Sequence, residues 1–361
     1  MKQGITLSEL AAELERQERA KADFIADTRQ MHFCTTALNS ELDLLGVDGA
    51  ESTTGLVVQQ HAHQQIATRL GVPWRYYQRL QSELPVLLDE NVNRLFHHKP
   101  ERRMVRTLDG RARAFLSDSY RRLDNGELAR TLLPILGDIP EVRFESCAIT
   151  DKRMYIKALT PRVTGEVKVG ETVCAGVLIA NSEVGVGKLR IEPFVYTLAC
   201  TNGMVIPRSL GAAAINRVHV GRRVENEDDT FRVFRDETLQ ADDRAFFMAC
   251  ADVVRAAVDE VRFAELVEAM QAAAADEPVQ SVIGAVQHLA RAESLSDGER
   301  DSVLTHLAAG GDLSRWGVLS AVTRAAEDAD SYDRATELEE LGGKVLAYTP
   351  GEWAGVAGAT A

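Results

Sequence analysis

Arg106, Arg111 and Arg113 surround an Asp109-Gly110 pair in the stretch RRMVRTLDGRARAFLSDSYRRLDN, and their spacing decides which chemistry is open to them. Asp-Gly between two strand-like runs is a strong signal for a two-residue hairpin turn. In that register Leu108 faces Arg111, and Arg106 lies directly across from Arg113. Strand alternation then sets the three arginines on one face with Met104, Leu108 and Phe115. Two opposed arginines repel each other unless an anion or a carboxylate sits between them. A second hairpin, VRFESCAITDKRMYIKAL, turns near Thr150–Lys152. It puts Arg153, Tyr155 and Lys157 on one face, with Met154, Ile156 and Ala158 on the other. Cations interleaved with an aromatic ring suit single-stranded nucleic acid, where phosphates meet the charges and bases stack on the ring. The expected nucleic-acid-binding set is Arg103, Arg106, Arg111, Arg113, Tyr120, Arg121, Arg122, Lys152, Arg153, Tyr155, Lys157, Lys188 and Arg190, with Tyr120 and Tyr155 for stacking. The competing reading is a face paired with the acidic flanks of the chain.

Other chemistries find less to work with. NSEVGVGKLR lacks the first glycine of a phosphate loop, has Leu189 where Ser or Thr belongs, and runs on into a strand. Gly185 and Gly187 therefore read as turn glycines. His61 and His63 form H-x-H and His97-His98 adjoin, without a Cys or carboxylate at ligand spacing. Asp109, Asp118 and Asp124 cluster in sequence as a two-metal nuclease requires, but the turn accounts for Asp109 and a capping box with Glu127 accounts for Asp124. Only Asp118 is left over. Residues 61–80 read as helix, glycine turn, helix with Pro73 opening the second, mainly a packing unit and secondarily a DNA-reading one. Five scattered cysteines without a C-x-x-C pair fit a reduced compartment. No catalytic residue, metal or cofactor is assigned.

The elements that must position these residues follow the charge. Residues 1–93 hold 8 basic and 13 acidic side chains, residues 94–224 hold 22 and 13, and residues 225–361 hold 11 and 28. A net charge of −13 thus hides a middle of +9 between flanks of −5 and −17. That asymmetry points to nucleic-acid contact by one part only, or to flanks that neutralise the middle by packing on it. The expected organisation is an N-terminal helical region (1–93, opening with an amphipathic helix over 5–30), a basic β-rich core (94–224) and an acidic C-terminal helical region (225–361). In the last, Ser296 with Glu299 opens one helix, Gly342-Gly343 stops another, and 351–361 is a loose tail. The fold class is α+β: an antiparallel, hairpin-rich sheet core with flanking helices. No apolar run reaches membrane-span length, and a cytoplasmic protein without membrane partners is expected.

At FLSDSYRRLDN (115–125), NSEVG (181–185), TNGM (201–204) and RWGVLSAVT (315–323) the chain resembles the phage/plasmid-like proteins grouped as domain of unknown function number 932. The resemblance runs over roughly 60 to 345 and implies a mobile genetic element as the setting. Ser320 stands where that family often has Asn, so no catalytic role is given to it. Phages encode single-strand annealing proteins with small basic α+β cores that assemble on DNA. The expectation is therefore a non-enzymatic protein that binds single-stranded DNA, RNA being the other option, and anneals strands as a homo-oligomer. The acidic C-terminal region would contact neighbouring copies, a partner nuclease or a host protein. The alternatives are an interaction module acting on a host partner and a metal-dependent nuclease using Asp118.

Overall fold

In the computed structural model, which describes residues 1–36, 39–47, 52–120, 122–217 and 236–360, the helix expected over 5–30 is a helix, a strand and a single 3₁₀ turn (Thr28–Gln30). Thr6 caps α1 (Leu7–Ala20) in a full capping box with Glu9, and the chain then extends into β1 (Lys21–Asp27). KADFIAD satisfies strand alternation as well as helical spacing, and pairing along its whole length settles the choice. Next come β2 (Met31–Thr35), β3 (Ser40–Leu44), β4 (Thr53–Val58), α2 (Gln60–Arg69), α3 (Trp74–Glu83) and α4 (Pro85–His98). The Asp-Gly hairpin is β5 (Arg102–Leu108) and β6 (Arg111–Ser117), its turn residues both at positive φ, 53° and 71°.

These strands form one six-stranded sheet in the order β1-β5-β6-β4-β3-β2, antiparallel except where β4 meets β6. Helices α2, α3 and α4 bury Ile66, Tyr77, Leu80, Leu88 and Phe96 against Phe33, Leu42 and Phe115 on one face. The free edge of β2 is closed by side chains from α4. Asn93 bonds both the N–H and the C=O of Phe33 (2.8 and 2.7 Å), and Asp89 accepts the Thr35 N–H (2.9 Å). An edge satisfied in this way is a poor template for a further strand.

After α5 (Asn125–Gly137) comes a second sheet: β7 (Arg143–Ile149), β8 (Met154–Lys168), β9 (Glu171–Asn181), β10 (Leu189–Thr197), β11 (Asn202–Val205) and β12 (Ile215–Arg217). Its order is β11-β10-β9-β8-β7, with β12 also on β10. The remaining helices are α6 (Asp236–Ala257), α7 (Glu260–Ala275), α8 (Val282–Glu293), α9 (Asp297–Gly310), α10 (Arg315–Ala325), α11 (Tyr332–Leu346) and α12 (Pro350–Ala357). One sheet face packs on α1, α5 and α6, through Leu10, Leu132 and Val254 against Met154, Ile156 and Ile179. Tyr332 of α11 lies on the other face beside Tyr155 and Phe194. A third core joins the far ends of β8 to β11 to α7–α12.

The architecture is α+β, as the periodicities indicate, with the strands of residues 94–224 divided between the two sheets and four strands within residues 1–93. Ser296 and Glu299 form the expected capping box. Two C-terminal expectations are corrected. Gly342 and Gly343 do not stop α11 but lie inside it, because a Cβ at Gly343 would collide with the Val205 carbonyl and one at Gly342 with Thr323. Here glycine permits close packing of a helix on its neighbours rather than ending it. The supposed loose tail is helix α12, capped by Thr349 and Glu352 and anchored by buried Trp353 and Val356.

Candidate functional site

The hairpin arginines occupy a junction between the two sheets. A β-bulge corrects the expected register: Arg106 pairs with Ala114 and Thr107 with Ala112, which leaves Arg113 as the extra residue. The shift turns Phe115 to the face of Phe96 (ring centroids 5.9 Å apart), while Met104 packs on the opposite face with Ala114 and Leu116. Arg106 and Arg113 still reach the same junction, and carboxylates separate them. Arg106 is fully buried; it donates to Asp23 (2.9 Å), Asp124 (2.6 Å) and the Glu183 carbonyl (3.0 Å). Arg113 donates to the Glu183 carboxylate at 2.5 Å. The other Glu183 oxygen accepts the Asn125 N–H (2.6 Å), so this residue serves the first turn of α5. Asp124 occupies the N-cap position without bonding the helix, which corrects the expected capping box. Its carboxylate is drawn to Lys21 and Arg106 instead. Burial alone would raise that carboxyl, yet the two cations hold it below its usual range.

Asn181 at the end of β9 and residues 182–188, between β9 and β10, act as the keystone. Ser182 O accepts the Tyr120 hydroxyl (3.1 Å), and Val184 O accepts from His61 (2.9 Å) and Gln65 (2.8 Å). Asn181 donates to Leu123 O (2.9 Å). Gly185, at φ 77°, lets the chain turn back there. His63 is separate from this junction: it is buried against the Tyr77 hydroxyl (2.9 Å), and burial pushes its pKa down to about 4.

The second basic hairpin has the expected facing, but α11 covers it. Lys157 is fully buried, donates to Glu339 at 2.5 Å and lies 4.7 Å above the Tyr332 ring. Burial pushes the Glu339 carboxyl up while the Lys157 ammonium pulls it back. The Tyr155 hydroxyl donates to Asp333 (2.7 Å), and Arg190 pairs with Glu340 (2.6 Å). All three carboxylates belong to α11, so the acidic C-terminal region directly neutralises Lys157 of the hairpin and Arg190 of β10. Arg103 lies over the Phe115 ring and bonds Glu101 (2.9 Å), and half-exposed Arg122 pairs with Asp23 (3.2 Å). Arg121 lies outside the described residues.

Among the candidate residues, Arg111, Lys152 and Lys188 are exposed with no side-chain hydrogen bond or ion pair among the described residues. Two of them meet in a cleft of about 390 Å³ between α1, the β5–β6 turn and the β7–β8 turn. Arg111 and Lys152 stand at its mouth, with Arg113 buried behind them, its Nε without a partner. Arg153 forms one side, reaching Val186 O (3.5 Å) and, more distantly, Asp333 (3.9 Å). Its guanidinium fits there because Gly187 has no side chain; an added Cβ would lie 3.1 Å from Nε. The acidic lining is partly engaged: Glu13 and Asp109 both bind Arg16 (2.8 and 2.9 Å), whereas Asp151 projects from the turn. Chemically the cleft can neutralise an anion. Asp118 lies half-buried after β6, and no group of three His, Cys, Asp or Glu side chains converges as a metal would need among the described residues.

Glu183, Asp23, Asp333, Glu339 and Glu340 have no place in the sequence-based site, although they determine which cations stay open. For Asp23, Asp333, Glu339 and Glu340 the signal was the acidic surplus of the flanks, whereas Glu183 lies in the basic middle; which carboxylate meets which cation depends on contacts far apart in the chain. The strings FLSDSYRRLDN, NSEVG, TNGM and RWGVLSAVT meet in two seams. FLSDSYRRLDN meets NSEVG at the keystone, and TNGM meets RWGVLSAVT through Asn202 and Thr323 (2.6 Å). No family model, curated protein or solved structure matches this chain.

Proposed function

We propose that the protein is a non-enzymatic nucleic-acid-binding protein of a mobile element, that it holds single-stranded DNA at this cleft, and that its use is strand annealing. The observation that carries the reading is the convergence of Arg111 and Lys152, both exposed and unpaired among the described residues, on one cleft whose inner cation, Arg113, is already paired with Glu183. Cations already neutralised by buried carboxylates add little to phosphate binding, so the contact is local rather than a long basic groove. One small site per chain holds one strand. Annealing two strands then requires at least two copies, which is the basis for proposing a homo-oligomer. The resemblance to phage/plasmid-like proteins supports the setting.

The test is fluorescence anisotropy of a labelled single-stranded oligonucleotide at low salt. Binding by the full chain, reduced about tenfold or more in an Arg111→Ala/Lys152→Ala variant with unchanged circular dichroism, supports the reading. An unchanged affinity in that variant removes the cleft from it. A parallel RNA oligonucleotide decides between the two nucleic acids.

A further inference from the structure

We infer that the cleft takes the terminal phosphate monoester of a strand rather than its internal diesters. The inference rests on the nucleic-acid reading and deepens it. Three observations lead to it. First, the open positive charge is concentrated in Arg111 and Lys152 at the mouth, while Arg113 behind them is buried and already paired with Glu183. A monoester carries up to two negative charges and three acceptor oxygens, against one charge on a diester, and so gains more from cations set close together.

Second, the lining is mixed in a directional way. Asp151 sits exposed at the tip of the β7–β8 turn with no ion pair among the described residues, whereas Glu13 and Asp109 are held by Arg16. A strand threading through would carry a further phosphate past the open Asp151 carboxylate, which repels it, whereas a strand that ends among the cations avoids that cost. Third, apart from Lys188, which lies outside the cleft lining, candidate cations of both hairpins and of β10 are engaged elsewhere. Arg106 is bound by Asp23 and Asp124, Lys157 by Glu339 and Arg190 by Glu340. A strand held by its end leaves its bases free to pair, which is what annealing requires.

The experiment compares four probes on the full chain: a 5′-phosphorylated oligonucleotide, its 3′-phosphorylated isomer, the same strand with hydroxyl ends, and adenosine monophosphate. The expected result is about tenfold tighter binding of one phosphorylated strand than of the hydroxyl-ended one, with the difference abolished by Arg111→Ala/Lys152→Ala. Equal binding of all three strands overturns the inference and leaves the nucleic-acid reading standing. Adenosine monophosphate binding as tightly as the phosphorylated strand supports a monoester site but overturns the strand reading. Absence of binding by every probe overturns both. Lys188→Ala serves as the control for loss of surface charge outside the cleft lining, and equal losses from it and from the double variant also overturn the inference.

Discussion

The two sides of the β7–β8 turn hold the same kinds of residue in opposite states. Lys157, in β8 under α11, is fully buried and bound to Glu339, whereas Lys152, in the turn itself, is exposed and bound to no side chain among the described residues. Arg113 and Arg111 repeat the contrast two residues apart in β6. Residue type therefore does not decide which cations can meet a ligand. That is decided by whether a carboxylate from a distant segment reaches them: Glu339 lies 182 positions from Lys157, and Glu183 lies 70 from Arg113. Buried pairs of this kind give little net stability relative to apolar replacements, but half of a pair left alone is costly.

The largest expected effect breaks the buried side of the comparison. Lys157→Ala leaves Glu339 uncompensated and should lower stability by about 3–5 kcal/mol in denaturant unfolding. A Lys157→Met/Glu339→Leu double variant should recover most of that loss, and a double variant as unstable as the single one would show that packing rather than charge holds the seam. Glu183→Ala comes next. It strips Arg113 of its partner and α5 of its N-terminal acceptor, for an expected loss of about 2–4 kcal/mol by the same measurement.

Acid titration gives a smaller effect. His63 has a folded pKa of about 4 against an ordinary 6.5, because burial disfavours the imidazolium. The unfolded chain takes up that proton first, so the contribution is complete above pH 6.5 and is lost as pH falls towards 4. Glu299, held at about 2 by Arg334, adds a second loss as pH falls from its ordinary 4.5 towards 2. His63→Gln should flatten the first limb of the stability–pH curve and leave the second. The smallest effect belongs to the open side: Arg111→Ala and Lys152→Ala should each change stability by less than about 0.5 kcal/mol, the range of surface substitutions.

Local rules were sufficient where the chemistry is local. The Asp109-Gly110 turn, the facing of Arg153, Tyr155 and Lys157, and the Ser296 capping box all follow from neighbouring residues. They failed where a distant partner intervenes. The bulge that releases Arg113 moves the register by one, and simple alternation cannot anticipate it. Asp124 left its cap for Lys21 and Arg106, and the glycine pair in α11 answers to Val205 and Thr323 rather than to its own helix. The charge blocks foretold that basic and acidic segments would interact, yet not that Arg106 and Lys157 would vanish inside while Arg111 and Lys152 stayed out. The site was thus legible as a region and illegible as a set of open cations.

The salt dependence of oligonucleotide binding tests the central claim most directly, because its slope counts the phosphates neutralised. With Arg111 and Lys152 open at the cleft and the core cations paired, a plot of log affinity against log salt for a single strand should have a slope of about −2 per protomer, corresponding to two or three phosphates. A slope of about −5 or steeper would mean that the buried cations are recruited after all, and would contradict the account.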